Sequence, residues 1–243
     1  MALRQVFTGI VNAATLTSSG SSSPVVVGNW LTAALFYQPN GAPTTPSGSG
    51  TWTSNLGNVL SFAGTVNNSG GGGRIYVYTG LITVGGTESM SSNLGGLGGP
   101  YQSIIGVEST SRSGIDTSAT GSGIVTFTDS GYTTGHTGGS MTPGAATTDL
   151  LAFSFDPSNV SESYTAPSWT IPTNGTIYSA SVYANAFVQN IDAASVAAHT
   201  AGFTTNAFTN ISQVIIALAA STPVYQPSGG QVGFFVTDTI VQN

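Results

Sequence analysis

Two histidines, His136 and His199, are the only imidazoles of this 243-residue chain, and they limit its metal and acid–base chemistry. His136 stands in a glycine-rich segment near Asp129, and His199 follows an alanine-rich segment that begins after Asp192. A protein metal site usually has three or four ligands, and two histidines in such different contexts do not supply them. The chain has no cysteine, which excludes disulfides, thiolate zinc sites and cysteine nucleophiles. We therefore predict no metal site and no cofactor.

The hydroxyl groups form no recognisable nucleophile motif. The chain contains 32 Ser and 34 Thr, so a Ser-His-Asp set is arithmetically possible. No Gly-x-Ser-x-Gly elbow is present, however, and short Gly-Ser turns follow from this composition alone. We predict no catalytic serine.

Nine acidic residues could supply the carboxylate pair that a glycosidase holds at roughly 5–10 Å. Asp149 and Asp156 bracket one apolar segment and are predicted as turn residues, because Asp156 to Asn159 reads Asp-Pro-Ser-Asn, which is typical of a type I turn. Glu108 is predicted to form a local ion pair with Arg112. Loops rich in Asp and Asn would suit calcium, but no Asp-x-Asp-x-Asp series is present. We predict that the chain is not an enzyme and that it has no catalytic residue. The carboxylates weighed are Glu88, Glu108, Asp116, Asp129, Asp149, Asp156, Glu162, Asp192 and Asp238.

The charge balance excludes two classes of partner. The strong cations are Arg4, Arg74 and Arg112, and a net charge of −6 leaves no basic surface on which nucleic-acid phosphates or anionic lipids would be neutralised. The sequence also lacks an apolar run of about 18 residues that would span a bilayer. We predict neither a nucleic-acid partner nor a membrane partner.

β-Strands must position these side chains. Apolar bursts rich in β-branched and aromatic residues recur between clusters of Gly, Pro, Asn and Ser, which is typical of short antiparallel strands in a sandwich or barrel. One alanine-rich segment, residues 191–200, is predicted as a helix that begins at Asp192 and stops before Gly202. Strands are predicted at residues 31–37, 59–62, 75–81, 102–107, 124–128, 150–155, 177–188, 214–219 and 232–239.

Two segments of the chain echo each other. Residues 28–36 lead across a Pro-containing loop to Trp52 and Thr53, and residues 148–155 lead across a similar loop to Trp169 and Thr170. An Ile-Tyr pair follows in each segment, and an Ile-Ile pair follows later. Duplication and convergent sandwich patterning explain these echoes equally well.

The domain prediction follows from these echoes. We predict an N-terminal arm over residues 1–23 and a single β-sandwich domain over residues 24–243. Its pseudo-halves are predicted at about 24–113 and 143–223.

The order of these features resembles jelly-roll proteins of tailed bacteriophages. The features are an apolar strand after Gly-Asn or Thr-Asp, a Pro-Ser loop ending in Trp-Thr, an aromatic strand, and a remainder rich in Gly, Ser and Thr, running from about Val25 to Ala219. Such proteins serve as head decorations, head spikes, or tail and fibre accessories. The resemblance implies an all-β, antiparallel, jelly-roll-like sandwich, a place in the virion and a structural role, and it transfers no catalytic residue.

Three tryptophans leave a second function open. Carbohydrate-binding proteins stack sugars on exposed aromatic rings, so Trp52 and Trp169 would suit a receptor adhesin at a spike or tail tip, with surface glycans as partners. We expect instead that both rings close the sandwich at strand starts and that Trp30 lies in the core. A secreted glycoside-active enzyme is the weaker third alternative.

The absence of Lys predicts self-association. Exposed sheet edges are commonly protected by charged side chains, above all Lys, and this chain has none. Unpaired edges and apolar faces then require a partner. We predict a homo-oligomer in contact with other virion proteins, and the resemblance to phage proteins favours a trimer.

Overall fold

The computed structural model describes residues 3–12, 15–38, 52–68, 73–93, 101–156, 166, 169–179 and 184–221. These residues form strands and one four-residue 3-10 turn, Thr120–Gly123, with no α-helix among them. The predicted all-β class is confirmed. The strands are β1 (Leu3–Asn12), β2 (Thr15–Thr17), β3 (Trp30–Gln38), β4 (Trp52–Ser54), β5 (Ser61–Asn68), β6 (Gly73–Leu81), β7 (Met90–Asn93), β8 (Tyr101–Ser109), β9 (Arg112–Ile115), β10 (Ile124–His136), β11 (Ser140–Met141), β12 (Thr148–Asp156), β13 (Thr176–Ser179), β14 (Ala184–Ala194), β15 (His199–Thr200) and β16 (Phe203–Ala220).

Two large antiparallel sheets contain the long strands, and each sheet is built by one half of the chain. The N-terminal sheet has the order β1-β8-β3-β6-β5. The C-terminal sheet has the order β10-β16-β12-β14-β13, and β9 pairs with the end of β16. The two sheets pack face to face, so the predicted antiparallel sandwich is confirmed.

The two sheets have the same strand order. When the five long strands of each sheet are numbered along the chain, both orders read 1-5-2-4-3. The pairing of the second strand with the fifth also agrees, because Ala34 lies opposite Ile105 as Leu151 lies opposite Ile216. The first strand of each sheet contacts the third strand of the other, β1 on β13 and β10 on β5. The halves are therefore arranged around an approximate two-fold axis.

The main core lies between the two large sheets. Side chains alternate along each strand, so every second residue of both sheets points into this layer. Phe36 and Phe155 meet there with ring centroids 5.6 Å apart. The buried side chains of this core are Val6, Ala34, Phe36, Val66, Ile75, Val77, Ile105, Val107, Leu151, Phe153, Phe155, Ile177, Ala186, Val188, Val214, Ile216 and Leu218.

The outer faces of the large sheets are also covered. The small sheet β2-β7-β4 and its loops cover the N-terminal sheet, and the pair β11-β15 covers the C-terminal sheet. In both covers one strand comes from the connection between the first and second long strands, β2 and β11, and one from the connection between the fourth and fifth, β7 and β15, whereas β4 comes from the connection between the second and third. Central strands are consequently buried on both faces, and all nine residues of β12 are buried. This double burial explains why the central strands read as near-continuous apolar runs.

The helix predicted at residues 191–200 is wrong. Strand β14 continues to Ala194, where it pairs with Thr148 of β12, and residues 199–200 form β15. Ala193 adopts a left-handed φ of 49°, which an α-helix does not contain. Pairing with β12 thus overrides the helix propensity of the alanines.

Other boundaries differ from those predicted. The strand predicted at 177–188 is two paired strands, β13 and β14. Residues 3–12, placed in an N-terminal arm, form the edge strand β1 of the N-terminal sheet. The repeated strand order begins at Leu3 in the first half and at Ile124 in the second, earlier than residues 24 and 143 respectively. The strand predicted at 232–239 lies outside the described residues.

Candidate functional site

Glu108 is fully buried at the end of β8 and is bound by one cation and three neutral donors. Arg4 Nη1 donates to Oε1 at 2.9 Å, and Gln5 Nε2 donates to Oε2 at 2.5 Å. The main-chain N–H of Val26 and the amide of Asn29 also donate to Oε1, at 2.9 and 2.6 Å. This carboxylate therefore ties the segment after residue 23 and the start of β1 to β8.

The local ion pair predicted between Glu108 and Arg112 is wrong. The chain leaves the N-terminal sheet after Ser109, and Arg112 begins β9 beside the other sheet. Arg112 instead donates from Nε and Nη2 to the two carboxylate oxygens of Asp149, at 2.7 and 2.6 Å.

Asp149 is the second residue of β12, so its prediction as a turn residue is wrong, whereas Asp156 is the last residue of β12 and the rest of the turn predicted at 156–159 lies outside the described residues. Both are buried at opposite ends of β12. Burial raises the pKa of Asp149. The hydrogen bonds from the Ala193 N–H and Arg112 lower it, but by less. The third cation, Arg74, is also buried and donates from Nε to Asn67 Oδ1 at 3.0 Å.

Glu88 and Asp116 hold cover segments through neutral donors. Glu88 is fully buried, and Ser54 Oγ and Asn58 Nδ2 donate to its carboxylate, each at 2.7 Å. Asp116 accepts from Ser118, from the Gly144 N–H and from Thr148 Oγ1. Burial opposes ionisation of Asp116, but these hydrogen bonds outweigh it and lower the pKa of the carboxyl.

The two histidines lie apart and serve local contacts. Buried His136 places Nδ1 3.0 Å from Asp129 Oδ2, and its ring centroid lies 4.9 Å from that of Phe203. His199 Nε2 lies 3.0 Å from the Ser195 carbonyl and 3.3 Å from Ser195 Oγ. Because a carbonyl can only accept, His199 Nε2 carries the proton and does not act as a base towards this serine. Among the described residues no three His, Asp or Glu side chains come together as a metal site.

The tryptophans described are packed or half-buried. Trp169 is 6% exposed, packs on the outer face of the C-terminal sheet, and donates from Nε1 to the Thr200 carbonyl at 2.9 Å. Trp30 is half-buried against the main core and donates from Nε1 to Thr79 Oγ1. The ring of Trp52 lies outside the described side chains.

An uncharged pocket of about 350 Å³ opens where β1 and β13 meet, and we call it the edge pocket. Both halves of the chain line it: β1 forms the floor, a loop after β2 forms one wall, and the turn before β13 forms the other. The lining residues are Val6, Phe7, Thr8, Ser19, Gly20, Ser22, Asn174 and Thr176.

The opposite edge of the sandwich is closed. There the two-fold arrangement brings β10 against β5, and Ile124 packs directly on Gly64. A Cβ at Gly64 would lie 2.9 Å from the Ile124 side chain, so no space is left between the strands. The edge pocket is therefore a departure from the two-fold arrangement and not a general feature of the sandwich edges.

A second surface feature is a cluster of exposed apolar side chains, which we call the apolar end. In the described part of the chain seven large apolar side chains are exposed, and six lie on three neighbouring segments, 25–28, 57–62 and 81–86. Backbone hydrogen bonds join Val25 to Gly86, and the Asn58 amide donates to the Val84 carbonyl. The six side chains are Val26, Val27, Val59, Phe62, Leu81 and Val84.

No protein-family model, curated protein or solved structure matches this chain. Within the described ranges, no helix is long and apolar enough to cross a bilayer.

The residues that line the edge pocket are not recognisable from the sequence. Thr8 lies in the predicted arm, and Asn174 begins one of four Asn-x-Ser/Thr triplets, which are expected by chance in a chain this rich in Ser and Thr. The two are 166 positions apart and converge only through the pairing of the two sheets. The one local signal is Asn174-Gly175, a pair that favours a turn with a left-handed residue.

Proposed function

We propose that this chain is a non-enzymatic structural protein of a bacteriophage particle, where it decorates or stabilises the head or a head or tail appendage. The observation that carries the proposal is the apolar end, six exposed apolar side chains on three joined segments. Clustered apolar exposure of this kind marks protein contact surfaces more often than scattered single residues do. The resemblance of the sequence to jelly-roll proteins of tailed bacteriophages is the reason for proposing a phage particle.

The use of the ionisable groups supports a structural role. Glu88, Glu108, Asp116 and Asp149 are buried, and their partners tie loops and covers to the large sheets. These carboxylates stabilise the fold and do not converge on the edge pocket.

Quantitative mass spectrometry and immunogold microscopy of purified particles test the proposed location. Hundreds of copies on the head support decoration, and a handful at one appendage supports a spike or tail role. A protein that is made during infection but is absent from purified particles would overturn the proposal.

The oligomer is tested separately. We propose a homotrimer in which the apolar end faces another copy, since the chain has no Lys to keep such surfaces apart. Light scattering at micromolar concentration should report three copies, and Val27→Asp with Val84→Asp should shift the mass towards one copy. A monomeric mass for the unmodified chain would contradict this proposal.

A further inference from the structure

The floor of the edge pocket is the open edge of a β-strand. The Thr8 carbonyl points away from β8, because it accepts the N–H of Ser19 at 2.8 Å. In an antiparallel ladder the direction of main-chain groups alternates, so the N–H and C=O of Val6, two residues earlier, point to the same open side. The Thr8 carbonyl is already used by the N–H and the hydroxyl of Ser19, so the main-chain groups of Val6 are the ones that remain on this side of β1.

Three side chains in the pocket have hydrogen-bonding capacity to spare. Within the described part of the chain, Thr8, Asn174 and Thr176 make no side-chain hydrogen bond, whereas Ser19 and Ser22 donate to groups of the protein. A threonine hydroxyl both donates and accepts, and an asparagine amide has separate donor and acceptor atoms. The free groups of the pocket are therefore matched to a ligand that also donates and accepts at several positions.

The wall that carries Asn174 is held in place before any ligand arrives. Gly175 N–H donates to the Pro172 carbonyl at 2.9 Å, which closes a turn, and Asn174 adopts a left-handed φ of 61° in that turn. Thr176 then begins β13 and pairs with Phe187 of β14. A preformed wall reduces the ordering that binding would require.

We propose that the edge pocket binds one neutral saccharide unit. None of the described residues that line the pocket is ionisable, which disfavours phosphates, carboxylates and amines as ligands. Its volume of about 350 Å³ lies near the lower end of the range for small-molecule pockets, roughly 300–1,000 Å³, and so favours a single compact unit over an extended chain. The side chains of Val6 and Phe7 are 5% and 2% exposed and belong to the cores on the two faces of β1, so the contacts to the sugar are polar and come from the hydroxyls of Thr8 and Thr176 and the amide of Asn174. This activity goes beyond the structural role and does not depend on it.

The test is an NMR titration of the full-length protein with glucose, galactose and N-acetylglucosamine, each up to 100 mM. At least one sugar should shift the amide signals of residues 6–8, 19–22 and 174–176 in a saturable way. The variant pair Thr8→Val with Asn174→Gly removes two free polar groups and keeps the left-handed backbone accessible, and it should raise the Kd of that sugar at least ten-fold. Thr126→Val, at an exposed position of β10, is the matched control and should leave the Kd unchanged.

Three outcomes would overturn the proposal. These are the absence of saturable shifts with every sugar, saturable shifts confined to residues outside the pocket, and an affinity that Thr8→Val with Asn174→Gly leaves unchanged in a folded protein. Binding of a short extended peptide at residues 6–8, with no sugar bound, would instead identify the open edge of β1 as a strand-pairing site and would also overturn it. The particle location has no influence on any of these results.

Discussion

Buried carboxylates with neutral partners are the feature of single residues that most affects stability. Asp116 combines several donors from three segments, Ser118, Gly144 and Thr148, on one side chain. A hydrogen-bonded carboxylate of this kind joins the 3-10 turn to the loop before β12. In Asp116→Asn an amide NH₂ group replaces one of these oxygens, and this new donor faces the donors that the oxygen had accepted from.

We predict that Asp116→Asn lowers the free energy of unfolding at pH 7 by about 1–3 kcal/mol, as expected for buried donors left without an acceptor. The pKa of Asp116 is lowered in the folded protein, so its ionised form stabilises the fold above the unfolded pKa, and this contribution is lost as the pH falls through the folded pKa. The unmodified protein should therefore lose more stability than Asp116→Asn between about pH 5 and pH 2. Urea denaturation at several pH values measures both effects. Asp192→Asn, at an exposed carboxylate, is the control, and an equal acid response in the two variants would contradict the prediction.

Trp169 is the second residue with a large expected effect. We predict that Trp169→Ala lowers the free energy of unfolding by about 3–5 kcal/mol, because it empties a buried site between the C-terminal sheet and its cover. Trp169→Phe keeps most of the ring but loses the hydrogen bond to Thr200, so its cost should be clearly smaller. Urea denaturation compares the variants. If Trp169→Ala costs less than about 1 kcal/mol, the ring does not support the cover.

Among the elements, the covers depend on close backbone contacts. Gly138 lies between β10 and β11 with a φ of 68°, and a Cβ there would lie 2.1 Å from the Ala201 carbonyl oxygen. Only glycine permits the connection to pass so near the residue that follows β15.

We predict that Gly138→Ala destabilises the protein by more than about 1–2 kcal/mol, the cost of a left-handed alanine, since the clash with Ala201 adds to it. Gly135→Ala is the matched control, because a Cβ at Gly135 would meet no heavy atom within 4 Å. Thermal unfolding gives the two stabilities, and hydrogen exchange at the Ala201 amide, which donates to Gly139, reports the local opening. Equal melting temperatures for the two variants would contradict the close contact.

The elements also show which parts of the fold are predictable from the sequence. The central strands β3, β6, β8 and β12 are recognisable, because burial on both faces demands runs of apolar and β-branched residues. Short cover strands such as β7, Met-Ser-Ser-Asn, carry no such pattern, since they are specified by pairing and not by propensity.

The candidate site was beyond prediction for a different reason. Threonine and asparagine are abundant in this chain, and their individual positions carry no signal. Thr8 and Asn174 become neighbours only when the two sheets pack, so contacts between distant parts of the chain define the edge pocket.

At the scale of the whole molecule, the sandwich consists of two halves that share one core. Each large sheet contributes one face to the layer that contains Phe36 and Phe155, and each has its own cover on the other face. The arrangement matches an isologous dimer whose two subunits are joined in one chain. The common 1-5-2-4-3 order favours duplication over convergent patterning as the origin of the echoes in the sequence.

The composition of the whole molecule predicts how it holds its partners. With three cations in all, its contacts rest on apolar burial and neutral hydrogen bonds, which salt screens little. We predict that bound copies stay on their oligomer or particle from about 0.1 to 1 M NaCl, where the Debye length falls from about 10 to 3 Å. Urea solvates apolar and peptide groups and should release them. Sedimentation of the complexes at each condition measures this, and release by 1 M NaCl alone would show an electrostatic attachment.

The positions of the three arginines also determine how susceptible the folded protein is to trypsin-like proteases. Trypsin-like enzymes cleave after Lys or Arg, and this chain offers only Arg4, Arg74 and Arg112. Arg74 and Arg112 are 5% and 8% exposed and lie within paired strands, where a protease cannot draw the backbone into its cleft. Arg4 lies in β1, and its guanidinium donates to the buried carboxylate of Glu108, so this third site is also held by the fold. The folded protein should therefore resist cleavage by trypsin-like proteases, and cleavage should begin only when it unfolds.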